Sequence, residues 1–243
     1  MALRNQVALI TGGGRGVGKA IALAFAREGA KIAVCARTEA QVAATAQQIV
    51  STGATCSYHV ADVCDEVAVT KMVACVEREL GPVDILVNNA AELPLAQITN
   101  TTTEMWDRVI SINLRGPFIC ARAVLPAMIR RRRGRIINIG STAGRRGYEE
   151  QGAYCASKHG LIGLSKVLAI EAQPYGIRVN VISPGGVVTE LSHELRESRG
   201  PADPADWMTP EEVAEAAVYI ATQDGPAMTD ELILRRYKSD SWR

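Results

Sequence analysis

Short apolar runs alternate with longer amphipathic stretches along most of the chain, and this alternation restricts the fold more than any other feature. Residues 6–11 (QVALIT), 31–36 (KIAVCA), 55–61, 83–88, 135–140 (RIINIG) and 177–183 read as buried strands, and ELIL at 231–234 as a further one. Helix-length segments lie between them, the first at 16–28 closed by Gly29 and the second at 39–52 closed by Gly53. Apolar strands separated by helices predict βαβ units and a parallel sheet. Right-handed crossovers then place helices on both faces. No linker, repeat or low-complexity tract interrupts the pattern. The expectation is α/β: one doubly wound domain over residues 1–243, with a mainly parallel seven-stranded sheet flanked by helices. Two stretches break the rhythm, 92–102 (ELPLAQITNTT) and the proline-rich 184–209. Both follow strand C-terminal ends, where open α/β sheets bind ligands, and 184–209 is the expected lid over a substrate.

The turn after the first strand reads Thr11-Gly12-Gly13-Gly14-Arg15-Gly16-Val17-Gly18 and opens a helix. Glycines let the backbone turn and approach a phosphate, and the helix N-terminus offers free N–H groups to a pyrophosphate. In this position the motif points to a dinucleotide. No Gly-Lys-Ser/Thr follows, so a nucleotide-triphosphate loop does not fit. An acid at the end of the second strand would favour NAD, whereas an arginine nearby favours the 2′-phosphate of NADP. The strand ends Val34-Cys35-Ala36-Arg37-Thr38, and Arg15 sits in the glycine loop. Two guanidinium groups suited to one phosphate make NADP(H) the preferred cofactor, with NAD(H) possible.

The bulk numbers exclude other classes. The formal net charge is +1, so the chain has no bulk attraction for nucleic acid or an anionic membrane. The start, MALRNQVALI, lacks the apolar core of a secretory signal, and no run of 18 apolar residues occurs. A cytoplasmic, membrane-free protein is expected. The six cysteines show no CxxC and no zinc spacing, so they read as buried reduced thiols with no metal.

Tyr154 and Lys158 stand four apart and share one face if their segment is helical. An unperturbed tyrosine titrates too high for acid–base work near neutrality, and a nearby ammonium would lower it. Ser141 follows the strand 135–140 and offers a hydroxyl to a substrate oxygen. Asn88-Asn89-Ala90 ends another strand. Asn113 falls among Val109, Ile110, Ile112 and Leu114, where a buried amide needs partners.

Together these residues resemble the short-chain dehydrogenase/reductase family, nearest to its 3-oxoacyl-acyl-carrier-protein reductases. The likeness rests on Thr11-Gly12-xxx-Gly16-x-Gly18, Asp62, Asn88-Asn89-Ala90, Asn113, Ser141, Tyr154-xxx-Lys158 and Pro184-Gly185-xxx-Thr189, in family order from residue 6 to about 220. The resemblance implies a Rossmann fold and hydride transfer between nicotinamide and a carbonyl or secondary alcohol. It implies a catalytic set of Asn113, Ser141, Tyr154 and Lys158. Ser141 and Tyr154 would hold the carbonyl, Tyr154 would give or take the proton, Lys158 would lower the tyrosine pKa, and Asn113 would hold a relay water. The implied cofactor-binding residues are Gly12, Gly14, Arg15, Gly16, Val17, Gly18, Arg37, Asp62, Val63, Asn89, Ala90, Tyr154, Lys158, Pro184, Gly185, Val187 and Thr189. A homo-oligomer is implied, with helices around 103–131 and 152–173 at one interface; the charged tail ending near Trp242 makes a dimer as well as a tetramer plausible.

Ala91 stands where the family usually has glycine. The arginines at 130–133, with Arg135, read as a solvated helix end; docking of an acyl-carrier protein is weakly supported, because Gln173-Pro174-Tyr175-Gly176 replaces a second basic site. Trp207 and Met208 are placed either at the substrate entrance or in lid packing. An NAD-dependent alcohol or sugar dehydrogenase is the alternative function, and a non-catalytic dinucleotide-binding module a remote one.

Overall fold

Seven strands form one sheet: β1 (Val7–Thr11), β2 (Lys31–Ala36), β3 (Cys56–Val60), β4 (Ile85–Asn88), β5 (Gly134–Ile139), β6 (Ile177–Pro184) and β7 (Glu231–Leu234). Their order is β3-β2-β1-β4-β5-β6-β7, and every neighbouring pair is parallel. The computed structural model describes residues 1–198 and 207–239. Part of the expected lid (199–206) and Trp242 therefore lie outside the described residues.

The central strands are mostly apolar because both of their faces are covered; all five residues of β1 are buried. On one face, α1 (Gly16–Arg27) packs Ile21 and Phe25 with Ile10, Val34 and Ile137. On the other, α3 (Glu66–Glu79) and α5 (Gly116–Arg131) bring Val73, Val76, Val124 and Met128 onto Leu9, Leu86 and Ile136. The remaining helices are α2 (Glu39–Val50), α4 (Thr103–Ile110), α6 (Gly152–Ala172), the short α7 (His193–Ser198) and α8 (Pro210–Thr222). Gly29 and Gly53, both at φ 86°, follow α1 and α2 in the left-handed conformation that suits a residue without Cβ.

Thr103–Arg131 is long and apolar enough by composition to cross a membrane. Here Ile119, Cys120, Ala121, Val124 and Met128 of that stretch lie in the core. A π-helical turn, Ser111–Arg115, separates α4 from α5. Such turns commonly mark functional positions.

Of the arginine cluster, Arg130, Arg132 and Arg133 are exposed as expected, and Arg135 is not. Arg135 is on β5 and only 8% exposed, with Nη1 donating to Asn180 Oδ1 (3.2 Å) and Nη2 to the Gln223 carbonyl (2.6 Å). The cause is that β5 begins at Gly134 and takes Arg135 into the sheet between β4 and β6. Arg131 donates to Asp84 Oδ1 (2.8 Å) and the Val83 carbonyl, and Arg132 to the Pro174 carbonyl. All six cysteines are free, and burial pushes the Cys35 thiol up to about 12.

Candidate active site

The strand order reverses between β1 and β4, and a cavity of about 780 Å³ opens beyond the C-terminal ends of the strands. Thr11, the last residue of β1, fastens this point. Its hydroxyl accepts from Asn89 N (3.0 Å) and Ala90 N (3.1 Å) and donates to the Val87 carbonyl. Asn89 returns the contact, with Nδ2 donating to the carbonyls of Thr11 and Gly12. Gly12 has φ 64°, and a Cβ there would lie 2.8 Å from Asn89 Nδ2. Gly18 likewise leaves room for Asn89 and the Gly12 carbonyl, so it packs the loop rather than lining the cavity.

Side chains cap some helices of the fold, as where Asp65 accepts from Val67 N and Ala68 N at α3 and Thr209 with Glu212 forms a capping box at α8, whereas α2, α5 and α6 have no such cap. The N-terminus of α1 has no side-chain cap and no acid in its first turn. Its N–H groups face a cavity lined by Gly14, Arg15, Gly16 and Val17. An uncapped positive end beside Cβ-free backbone fits a pyrophosphate.

Arg37, Asp62, Val63, Ala90, Pro184, Gly185, Val187 and Thr189 line the same cavity, together with Gly12, Asn89, Ser141, Tyr154 and Lys158. Asp62 Oδ1 accepts from Cys64 N (2.9 Å), which fixes the turn after β3. Arg37 is not a bare cation. Its Nη2 donates to Glu92 Oε1 at 2.8 Å. Arg108 holds the same carboxylate through Nε (2.6 Å) and Nη2 (2.7 Å). These arginines, Arg108 foremost, keep Glu92 below the usual carboxylate range. Glu92 was not singled out from sequence, although an acid three positions after Asn89 at a strand end was the available signal.

At the other end of the cavity, Ser141 follows β5, and Tyr154 and Lys158 sit on α6. Gly144 brings these elements together, since a Cβ there would lie 2.9 Å from the Lys158 carbonyl oxygen. Lys158 Nζ donates to the Ile139 carbonyl (2.8 Å) and lies 5.6 Å from the centre of the Tyr154 ring. Tyr154 is pushed up to about 12 by burial, with the Ser141 hydrogen bond opposing that shift. Lys158 is pushed down to about 8, also by burial. In the protein by itself, burial outweighs any lowering of Tyr154 by Lys158. Desolvation governs both groups, and the ammonium is turned toward a backbone carbonyl.

Asn113 finds the partners that a buried amide needs. It is buried outside the cavity lining. Its Oδ1 accepts from Glu92 N (2.8 Å), and its Nδ2 donates to the Glu92 carbonyl (2.9 Å) and Ser157 Oγ (3.1 Å). With its amide bonded to protein on both sides, Asn113 ties the Glu92 segment to α6. His159, beside Lys158 on α6, has Nδ1 2.8 Å from the Cys155 carbonyl oxygen. Trp207 lines the cavity, while Met208 joins the core and bridges to Val187.

Residues 6–200 match the family model described as short chain dehydrogenase. D-threitol dehydrogenase of Mycolicibacterium smegmatis is 38% identical over 93% of this chain and 89% of its own. The 3-oxoacyl-acyl-carrier-protein reductase of a Synechocystis species is 36% identical, covering 93% of both chains. Among solved structures, an actinorhodin polyketide ketoreductase with NADPH superposes with a TM-score of 0.88 at 33% identity, covering 97% of this chain and 96% of that one. The chain therefore belongs to the short-chain dehydrogenase/reductase family, oxidoreductases that act on carbonyl and alcohol substrates with NAD or NADP.

Proposed function

We propose that the chain is a cytoplasmic, NADP(H)-preferring enzyme of small carbonyl compounds or secondary alcohols, possessing the chemistry of a 3-oxoacyl or related ketone reductase. The carrying observation is the meeting of Ser141, Tyr154 and Lys158 in one cavity with the uncapped N-terminus of α1. The nicotinamide supplies or accepts the hydride. Ser141 and Tyr154 offer two hydroxyl donors to one substrate oxygen. Burial keeps Tyr154 protonated at neutral pH, so it enters carbonyl reduction as the proton donor to an oxygen gaining charge. Lys158, one turn along α6, stands next to receive or replace that proton. Arg15 and Arg37 would hold the 2′-phosphate, with Asp62 and Val63 beside the adenine and Asn89 beside a ribose.

One observation favours NAD as a second reading: Glu92 already neutralises Arg37. A panel of ketones and alcohols, followed at the nicotinamide absorbance with both cofactors, tests the proposal. Oxidation of NADPH by at least one ketone is expected; no turnover with either cofactor overturns it. Exposed Trp106, Phe118, Val167 and Ile170 on α4, α5 and α6 support a homo-oligomer through those helices. The engaged Arg131, Arg132 and Arg135 weaken an acyl-carrier-protein dock.

A further inference from the structure

Beyond Tyr154 the cavity wall becomes cationic. Arg145, Arg146, Arg235 and Arg236 line it there, drawn from the loop after Ser141 and the segment after β7. Two of the four are already occupied. Arg145 pairs with Glu231, its Nε 3.1 Å from Oε1. Arg235 Nη1 donates to the carbonyls of Arg236, Tyr237 and Ser239.

Arg146 and Arg236 have no carboxylate partner among the described residues. Each instead lies on an aromatic ring. The Arg146 guanidinium is 4.8 Å from the centre of Tyr148, with Nε donating to the phenol oxygen at 2.8 Å. The Tyr148 hydroxyl is itself 3.0 Å from Thr142 Oγ1. Arg236 is 5.0 Å from the Trp207 ring. Stacking orients a guanidinium by its face and leaves in-plane N–H groups for a planar oxyanion.

Trp207 adds an independent observation. It is 6% exposed, and its Nε1 has no hydrogen-bond partner among the described residues. The ring cannot drift to find one on the Gly186 side, because even a Cβ at Gly186 would come within 2.7 Å of its Cε3 and Cζ3. A buried donor without an acceptor is costly and marks a place where a ligand can supply one. Among the described residues, the acids lining the cavity lie elsewhere: Asp62 and Glu92 at the arginine clasp, and Glu190 beside Gly16. Glu149 and Glu150 follow Tyr148 but do not line it.

The geometry points to an anion subsite formed by Arg146, Arg236 and Trp207 Nε1, and hence to substrates that carry a carboxylate besides the reacting carbonyl: oxo acids and their hydroxy-acid counterparts. This rests on the reading of Tyr154 as the reaction centre and names the substrate class of that site.

Matched pairs test it: 3-oxobutanoate against its methyl ester, and 4-oxopentanoate against its methyl ester. A charge-assisted contact predicts that at least one acid exceeds its ester about tenfold in kcat/KM. That ratio should fall toward one in the Arg146→Gln, Arg236→Gln double variant. Calorimetric binding of the two acids to enzyme loaded with oxidised cofactor provides a readout without turnover. Esters equal to or better than acids, or an acid preference unchanged in the double variant, overturn the subsite while the Tyr154 reading stands. Acid binding that is lost in the double variant, with no ketone consumed, supports the subsite and overturns the Tyr154 reading. Absence of acid binding together with absence of turnover overturns both.

Discussion

Replacing Glu92 by glutamine should raise the preference for NADPH over NADH, and the clasp fixes both sign and size. Glu92 is ionised at neutral pH, since Arg108 and Arg37 hold its carboxyl below the usual range. Arg108 grips it twice and Arg37 once. Arg37 is therefore the partner that can leave without stranding the carboxylate. A 2′-phosphate must draw Arg37 away and then tolerate Glu92 nearby. The Arg37 side chain is 51% exposed, so the pair belongs with surface ion pairs of about 0.2–1 kcal/mol. Screened repulsion between carboxylate and phosphate adds a contribution of similar order. Together they come to about 1 kcal/mol, or roughly fivefold in Kd. NADH lacks that phosphate and should change by less than about twofold. Glutamine keeps the backbone bonds to Asn113, so the catalytic end is not disturbed. The assay is titration of nicotinamide fluorescence with both reduced cofactors, at low salt and at high salt, where the effect should shrink. An unchanged ratio, or one that moves toward NADH, refutes the reasoning.

The fold offers three further tests. Lys158 has a folded pKa of about 8, below its unfolded value, so the unfolded chain binds more protons above that pH. The protein should therefore gain stability relative to Lys158→Met as pH rises from about 8 to 10; a flat difference in urea midpoints contradicts this. Gly18→Ala should cost about 1–3 kcal/mol and lower Tm by several degrees, because the new methyl meets the Gly12 carbonyl and Asn89; an unchanged melting curve contradicts it. Ile170, 71% exposed on α6, should be covered in the oligomer, so Ile170→Glu should lower the mass seen by light scattering; a wild-type monomer at micromolar concentration contradicts the interface.

The strands were legible because burial on both faces leaves mostly apolar residues in them, as in the runs 7–10 and 32–36. The helix ends were legible where glycine takes positive φ, as at Gly29 and Gly53. The π turn was not, because SINLR carries an ordinary helical pattern and the position of Asn113 depends on the backbone of Glu92. The roles of Arg37 and Glu92 were hidden for a related reason: their pairing spans 55 positions of sequence. Tyr154 and Lys158 were found by spacing, but spacing does not contain burial, which sets both pKa values. Arg135 was misread because a run of like charges continues across the turn that buries its last member.

Proton transfer in the proposed reaction depends on the Tyr154 hydroxyl. Tyr154→Phe keeps the ring that packs with Ala143 and Cys155 and removes only the hydroxyl. With a ketone that the wild type reduces, kcat should fall by about 10²–10⁴. NADPH affinity, measured by fluorescence on the same preparation, should stay within about threefold. Near-normal turnover by that variant contradicts the central claim.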